Sequence, residues 1–172
     1  MLDIFKELIA NQFEAALCTL DTCIDRCPET AWDARIGQYP FNQVAFHTLF
    51  FTDYYLGPNA EALRPQQFHR DNPEFFTDYE QLEYRETVGV YDRPSIKKYL
   101  VYCRGKASEV LPAETADSLS GPAGFPRRSF SRAELHVLNI RHIQHHSAQL
   151  SLRLRINADV QISWVGSGWR AP

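Results

Sequence analysis

The sequence predicts an all-α protein, a single four-helix bundle of the up-down-up-down type with a long second connection. Three observations carry this expectation. Apolar residues recur at three- and four-residue spacing along four long stretches. Serine and other capping residues stand where those stretches begin, and proline and glycine cluster between them. The chain has 172 residues with no internal repeat and no low-complexity block. A domain of that size buries about 70% of the surface that its unfolded form exposes. Neither a disulfide nor a structural metal is needed to fold it, so a metal here would be functional.

The first helix covers residues 2 to about 25, where Leu2, Phe5, Leu8, Ile9, Phe13, Ala16, Leu17, Leu20 and Ile24 form one broad apolar stripe. Pro28, Gly37 and Pro40 interrupt the chain, and Asn42 is the expected N-cap of a second helix over Val44 to Leu56, stopped by Gly57-Pro58. Residues 57 to 94 form the long connection, broken by Pro58, Pro65, Pro73 and Pro94. Within it, Thr77-Asp78-Tyr79-Glu80 resembles a capping box and is expected to open one short helix. Ser95 caps the third helix, which is expected to run to about Val110 and to end before Pro112. Gly121, Pro122, Gly124 and Pro126 mark a loop, after which Ser131-Arg132-Ala133-Glu134, a second capping box, opens the last long helix. The tail beyond Ile156 carries Val160, Ile162, Trp164 and Val165, and is expected to pack across the bundle end and fray after Trp164 or Trp169.

Composition narrows the partners. A formal charge of −3 and the lack of any compact run of Lys or Arg argue against nucleic acid and against a membrane surface. The N-terminal stretch MLDIFKELIANQF is amphipathic, without the basic start and apolar core of an export signal, and no segment approaches 18 uninterrupted apolar residues. A cytoplasmic protein is expected. Cys18, Cys23, Cys27 and Cys103 form no C-x-x-C pair and read as reduced, mostly buried cysteines. Cys23 and Cys27 have four-residue spacing, but Pro28 follows at once, where the helix is ending.

The chemistry is carried by histidine. Leu138, His142, His146, Leu150 and Leu154 form one unbroken row at four-residue spacing, so two imidazoles occupy places where a bundle helix would carry leucine. Two polar rings on a buried stripe need partners, and one divalent ion can accept a lone pair from each. A third ligand comes from His47 in the second helix, whose neighbours Val44, Phe50, Phe51 and Tyr54 turn the same face inward. Facing helices of a bundle build metal sites in this way. Three nitrogen ligands leave one coordination position open, as catalytic zinc sites do. Ile143 follows His142, so the H-E-x-x-H peptidase pattern is absent.

Around this trio the sequence offers weaker candidates. His145 could stand behind the ligands or face a substrate, while Gln149, one turn beyond His146, could orient a ring, with packing at the helix face as the default for it. Asp53 and Tyr54 are candidates for a pocket wall, and the series Phe46, Phe50, Phe51, Tyr54 and Tyr55 reads mainly as core. His136 and His69 are given no role in the site.

One inward histidine in an early helix, then His142-Ile-Gln-His-His146-Ser-Ala-Gln149-Leu150 in the last, resembles the DinB/YfiT-like superfamily of metalloenzymes over nearly the whole chain. The resemblance implies that His47, His142 and His146 bind Zn²⁺ or Ni²⁺, with Fe and Mn as alternatives, in the mouth of the bundle. It further implies a thiol-dependent S-transferase or isomerase using a low-molecular-weight thiol of the bacillithiol, mycothiol or glutathione kind on a small-molecule substrate, and a homodimer. A metal-dependent small-molecule hydrolase and a non-catalytic, stress-associated metal-binding bundle are the alternatives. The proline-rich stretch from Gly57 to Pro94 is longer than in simple members, so no substrate-contacting residue is carried over.

Overall fold

The computed structural model describes residues 1–36, 38–77 and 91–170. The fold is all-α. In chain order come α1 (Leu2–Arg26), the single turn α2 (Glu29–Trp32), a ribbon of two-residue strands β1 (Arg35–Ile36) and β2 (Tyr39–Pro40), and α3 (Phe41–Leu56). After a 3₁₀ turn at Ala60–Ala62 follow α4 (Gln67–Asp71), α5 (Arg93–Ala113), α6 (Ala116–Ser120) and α7 (Arg132–Ala158). Among the described residues, no helix is long and apolar enough to cross a membrane.

The four long helices are those the periodicity predicts, but their ends differ for local reasons. α3 begins at Phe41, with Pro40 as N-cap at φ −67°. Asn42 is not the cap: it lies inside the first turn, buried, and its Nδ2 donates to Asp33 Oδ1 at 2.5 Å. α5 begins three residues earlier than expected, with Asp92 in place of Ser95 as N-cap, because the Asp92 carboxylate accepts from the Ser95 backbone N–H at 2.7 Å and from Ser95 Oγ at 3.0 Å. Pro94 then falls in the first turn, where its missing N–H costs nothing. The same helix runs through Pro112 to Ala113, with Leu111 buried in the core. Ser131 does cap α7, accepting from the Glu134 N–H at 3.2 Å. Of the proposed capping box at Thr77, residues Asp78–Glu80 lie outside the described residues.

α1 and α3 each pack against both α5 and α7. Leu17, Leu20, Ile24, Phe46, Leu49, Ile96, Tyr99, Ile143 and Leu150 meet in the shared core. Leu8, expected on the apolar stripe of α1, is instead exposed. Two buried polar clusters tie the connections to this frame. At the end of α3, the Arg132 guanidinium donates to the carbonyls of Tyr55 (3.1 Å), Leu56 (3.2 Å) and Gly57 (2.6 Å), and also to Glu114 Oε1 at 2.9 Å. It thereby satisfies carbonyls that the helix end leaves without partners. The loop before α7 closes against the same place. Gly124 has φ +83°, and a Cβ there would stand 2.5 Å from the Pro58 carbonyl oxygen, so only glycine fits.

The second cluster surrounds Asp53, which is fully buried. Its carboxylate receives Lys106 Nζ at 2.5 Å, Tyr99 Oη at 2.9 Å and His69 Nε2 at 2.6 Å. Lys106 and Tyr102 also donate to Gln66 Oε1 at 2.7 and 2.6 Å. The segment after α3 is held down by this network and by stacking of His69 on Phe76 (3.9 Å) and of Phe68 on Tyr102 (4.2 Å).

The tail runs along α1 rather than across the bundle end. After Asp159, which closes α7 in the left-handed conformation, the chain returns along α1. Arg26 donates to the Gln161 carbonyl at 2.6 Å, Gln12 to that of Gly166 at 3.2 Å, and the Gly168 N–H to the Asn11 carbonyl at 3.0 Å. Trp169 lies under the Arg104 guanidinium at 3.9 Å. Trp164, between these anchors, is 73% exposed. All four cysteines are free and buried. Burial pushes the Cys23 thiol up to about 12 and the Cys27 thiol up to about 11, and raises Cys103 well above its usual value.

Candidate metal centre

α3 and α7 lie side by side, and the inward face of each carries histidine where they meet. His47 from α3 and His142 and His146 from α7 bring one ring nitrogen apiece within 4.8 Å of one another, a group that could hold a metal ion. His142 Nε2 and His47 Nε2 stand 3.2 Å apart. Two nitrogens bound tetrahedrally to zinc at about 2.05 Å would be separated by about 3.3 Å, so this edge of the trio already has ligand spacing. The rings of His47 and His146 meet edge to face at 4.8 Å between centroids, and those of His142 and His146 at 4.6 Å.

Electrostatics keep the rings in the ligand state. Burial lowers the pKa of His47 to about 2, reinforced by His142 and His146. Burial, with His146, His145 and Arg128, lowers that of His142 to about 3. His146 is lowered by burial against an opposing hydrogen bond to Gln149. All three are therefore neutral near pH 7 and have lone pairs available. The buried Nδ1 atoms of His47 and His142 have no hydrogen-bond partner among the described residues. Without an ion one Nε2 donates to the other across 3.2 Å; an ion between them would accept both Nε2 lone pairs once each ring carries its proton on Nδ1.

His146 is oriented differently. Its Nδ1 donates to Gln149 Oε1 at 3.0 Å, and the Gln149 amide donates in turn to His145 Nε2 at 3.0 Å, tautomers being assigned from these partners. The bond fixes the proton on Nδ1 and leaves Nε2 for an ion. Gln149 thus orients a ring rather than packing at the helix face, and both it and His145 are exposed.

Several other candidates stand elsewhere. Phe51 borders the trio, 4.8 Å from His47 and 5.6 Å from His142 between centroids. Tyr54 packs on Phe125 at 4.7 Å, while Phe46, Phe50 and Tyr55 are buried in the core. Asp53 is no pocket wall, being enclosed in the network with His69, Lys106 and Tyr99. His69 and His136 stay outside the trio: both are buried, His69 on Asp53 and His136 Nε2 against Glu114 Oε1 at 2.9 Å.

Two residues near the trio were missed from the sequence. Arg128 and Arg153 are the charged side chains whose fields act on His142 and His146 respectively. Arg128 donates to Tyr55 Oη at 2.9 Å and Arg153 to the Tyr39 carbonyl at 2.9 Å. Arg153 follows His146 by seven residues, a same-face spacing that could have flagged it. Arg128 sits in a loop and has no such signal. Among the described residues, no carboxylate contributes to the pKa of any of the three histidines.

The depressed pKa values set a direction for acid stability. Below about pH 6.5 the unfolded chain takes up protons at these histidines that the folded, metal-free chain refuses down to about pH 3. The stability they contribute is complete above the ordinary histidine pKa and is lost as pH falls toward the folded values. His47 and His142 each account for up to about 1.4 kcal/mol per pH unit in that window. Chelator-treated protein is expected to lose stability as pH falls from about 6.5 toward 3, its acid-unfolding midpoint being followed by far-UV circular dichroism. His142→Leu is expected to shift that midpoint to lower pH. A midpoint unchanged in His142→Leu would show that the histidines titrate freely in the folded chain.

Compared with protein-family models, curated proteins and solved structures, the chain matches none.

Proposed function

We propose that this chain is a metal-dependent enzyme of the thiol S-transferase type, built on a DinB/YfiT-like bundle of up-down-up-down topology. His47, His142 and His146 hold the ion, with Zn²⁺ or Ni²⁺ as the proposed metals. When bound, such an ion supplies a Lewis acid that lowers the pKa of a coordinated thiol toward neutrality.

The observation that carries this reading is the sign of the charge around the trio. Arg128 and Arg153 act on its rings, and no acid does so among the described residues. A hydrolase needs a general base within reach of the attacking water. A thiol carrying carboxylates needs cations instead, and Arg128 and Arg153 supply positive charge beside His142 and His146. Phe51, packed against His47 and His142, would give a bound thiol an apolar wall. His146, fixed by Gln149, keeps its lone pair directed at the ion.

The test pairs glutathione with 1-chloro-2,4-dinitrobenzene, following thioether absorbance. The sulfur forms a bond to the ring carbon, chloride leaves with its bonding pair, and the thiol proton goes to solvent. The rate is expected to require added Zn²⁺ or Ni²⁺ and to vanish in His142→Ala. Arg153→Met is expected to raise the KM for glutathione about tenfold while leaving that for 2-mercaptoethanol, which has no carboxylate, unchanged. No metal-dependent rate with either thiol would remove the transferase reading.

A further inference from the structure

On the opposite side of α7 from the histidine row, α1, α7 and the returning tail line a half-open cleft of about 400 Å³. Its polar lining comes from Thr19, Gln144, Ser147, Ser151, Arg155 and Ser163, and its apolar lining includes Leu152, Ile162 and Trp164. From His146, the positions of Ser147, Ser151 and Arg155 lie about 100° to 180° around the helix, so the cleft and the metal centre do not share a face.

Three features distinguish this cleft from an ordinary surface hollow. First, Ser147 is fully buried, and its Oγ has no hydrogen-bond partner among the described residues. A buried hydroxyl without a partner is uncommon and calls for one. Second, the cleft contains one cation and no acid: Arg155 is exposed at its edge, and no ion pair or hydrogen bond of its side chain occurs among the described residues. Third, Trp164 is 73% exposed although the chain on either side of it is anchored to α1, by Arg26 at Gln161 and by Gln12 at Gly166. An indole held in place with its surface in water is a ready stacking platform.

We infer that this cleft is a binding site for a small aromatic carboxylate. The carboxylate pairs with the Arg155 guanidinium, whose planar fork matches its two oxygens. The aromatic body lies against Trp164, Leu152 and Ile162, and the hydroxyl and amide groups of Ser151 and Gln144 at the cleft surface offer donors to polar substituents. The volume falls in the range of small-molecule sites, which combine a mostly apolar wall with a few convergent polar groups.

The probe is 2-naphthoate, titrated by isothermal calorimetry into the wild type and into His142→Ala. The cleft predicts saturable one-to-one binding of equal affinity in both proteins, because no metal ligand takes part. Arg155→Gln and Trp164→Ala, both at exposed positions that leave the fold intact, are each expected to weaken binding about tenfold or more. The neutral analogue 2-naphthalenemethanol is expected to bind the wild type more weakly by a similar factor. Binding lost in His142→Ala but kept in Arg155→Gln would place the carboxylate at the metal centre and overturn the inference. So would the absence of binding at millimolar naphthoate, or a dimer sealed through Trp164 that takes up none.

Discussion

His142→Ala, purified without an affinity tag, is expected to carry less than a tenth of the metal found in the wild type, which should hold about one equivalent of Zn, Ni, Fe or Mn by plasma mass spectrometry. The edge between His142 and His47 is the one already at ligand spacing. Its loss leaves two nitrogens, from His47 and His146, with no third donor of the trio. Affinity should fall by more than the ten- to hundredfold, roughly, that follows loss of a group behind a ligand. Gln149→Ala should fall within that smaller range, because it removes only the partner that holds the His146 ring. His145→Ala should retain the metal. Equal metal in wild type and His142→Ala would leave these histidines as core residues of a bundle, and the transferase proposal would fall with the site.

Asp53→Ala is expected to cost about 3–5 kcal/mol of folding stability, read from urea denaturation, because it strands buried donors rather than merely removing an ion pair. Lys106, Tyr99 and His69 all converge on its carboxylate. Burial works to raise the pKa of Asp53, but the His69 hydrogen bond and the Lys106 charge outweigh it and leave the carboxyl below its usual value. The stabilisation is therefore present above the ordinary aspartate pKa and is lost as pH falls below it. Asp53→Asn keeps the shape and an acceptor but loses the charge facing Lys106, and should fall between the wild type and Asp53→Ala. Metal content should be unchanged in both variants. If Asp53→Ala bound no metal while remaining folded, the network would belong to the site after all.

The histidine row was legible because a helix turns spacing into direction: with α3 and α7 established by their apolar stripes, residues 142 and 146 could only share a face, and His47 was the inward histidine opposite. Other features depended on contacts that spacing does not encode. Asn42 looks like a cap, yet its side chain is engaged by Asp33 and proline takes the capping place. The pairing of Asp53 with His69 spans 16 residues of a proline-broken connection, where no periodicity links the two. The tail is anchored mainly through backbone carbonyls of Gln161, Gly166 and Asn11, groups that every residue possesses and that leave no signature in a sequence. Arg128 lies in a loop held by the close approach of Gly124 to Pro58 and by backbone bonds such as Ala123 N–H to the Phe130 carbonyl, none of which spacing encodes.

The condition of the protein's own sulfur bears on the proposed chemistry. A catalyst that brings soft electrophiles to an activated thiol is exposed to alkylation by its own substrates, since any ionised cysteine nearby would compete for them. Here all four thiols are shut inside the fold, and burial holds Cys23, Cys27 and Cys103 protonated far above neutral pH. The same packing that shuts these thiols into an aromatic and aliphatic core makes the protein a poor target for the reagents it is proposed to handle, so that turnover would not end in self-inactivation.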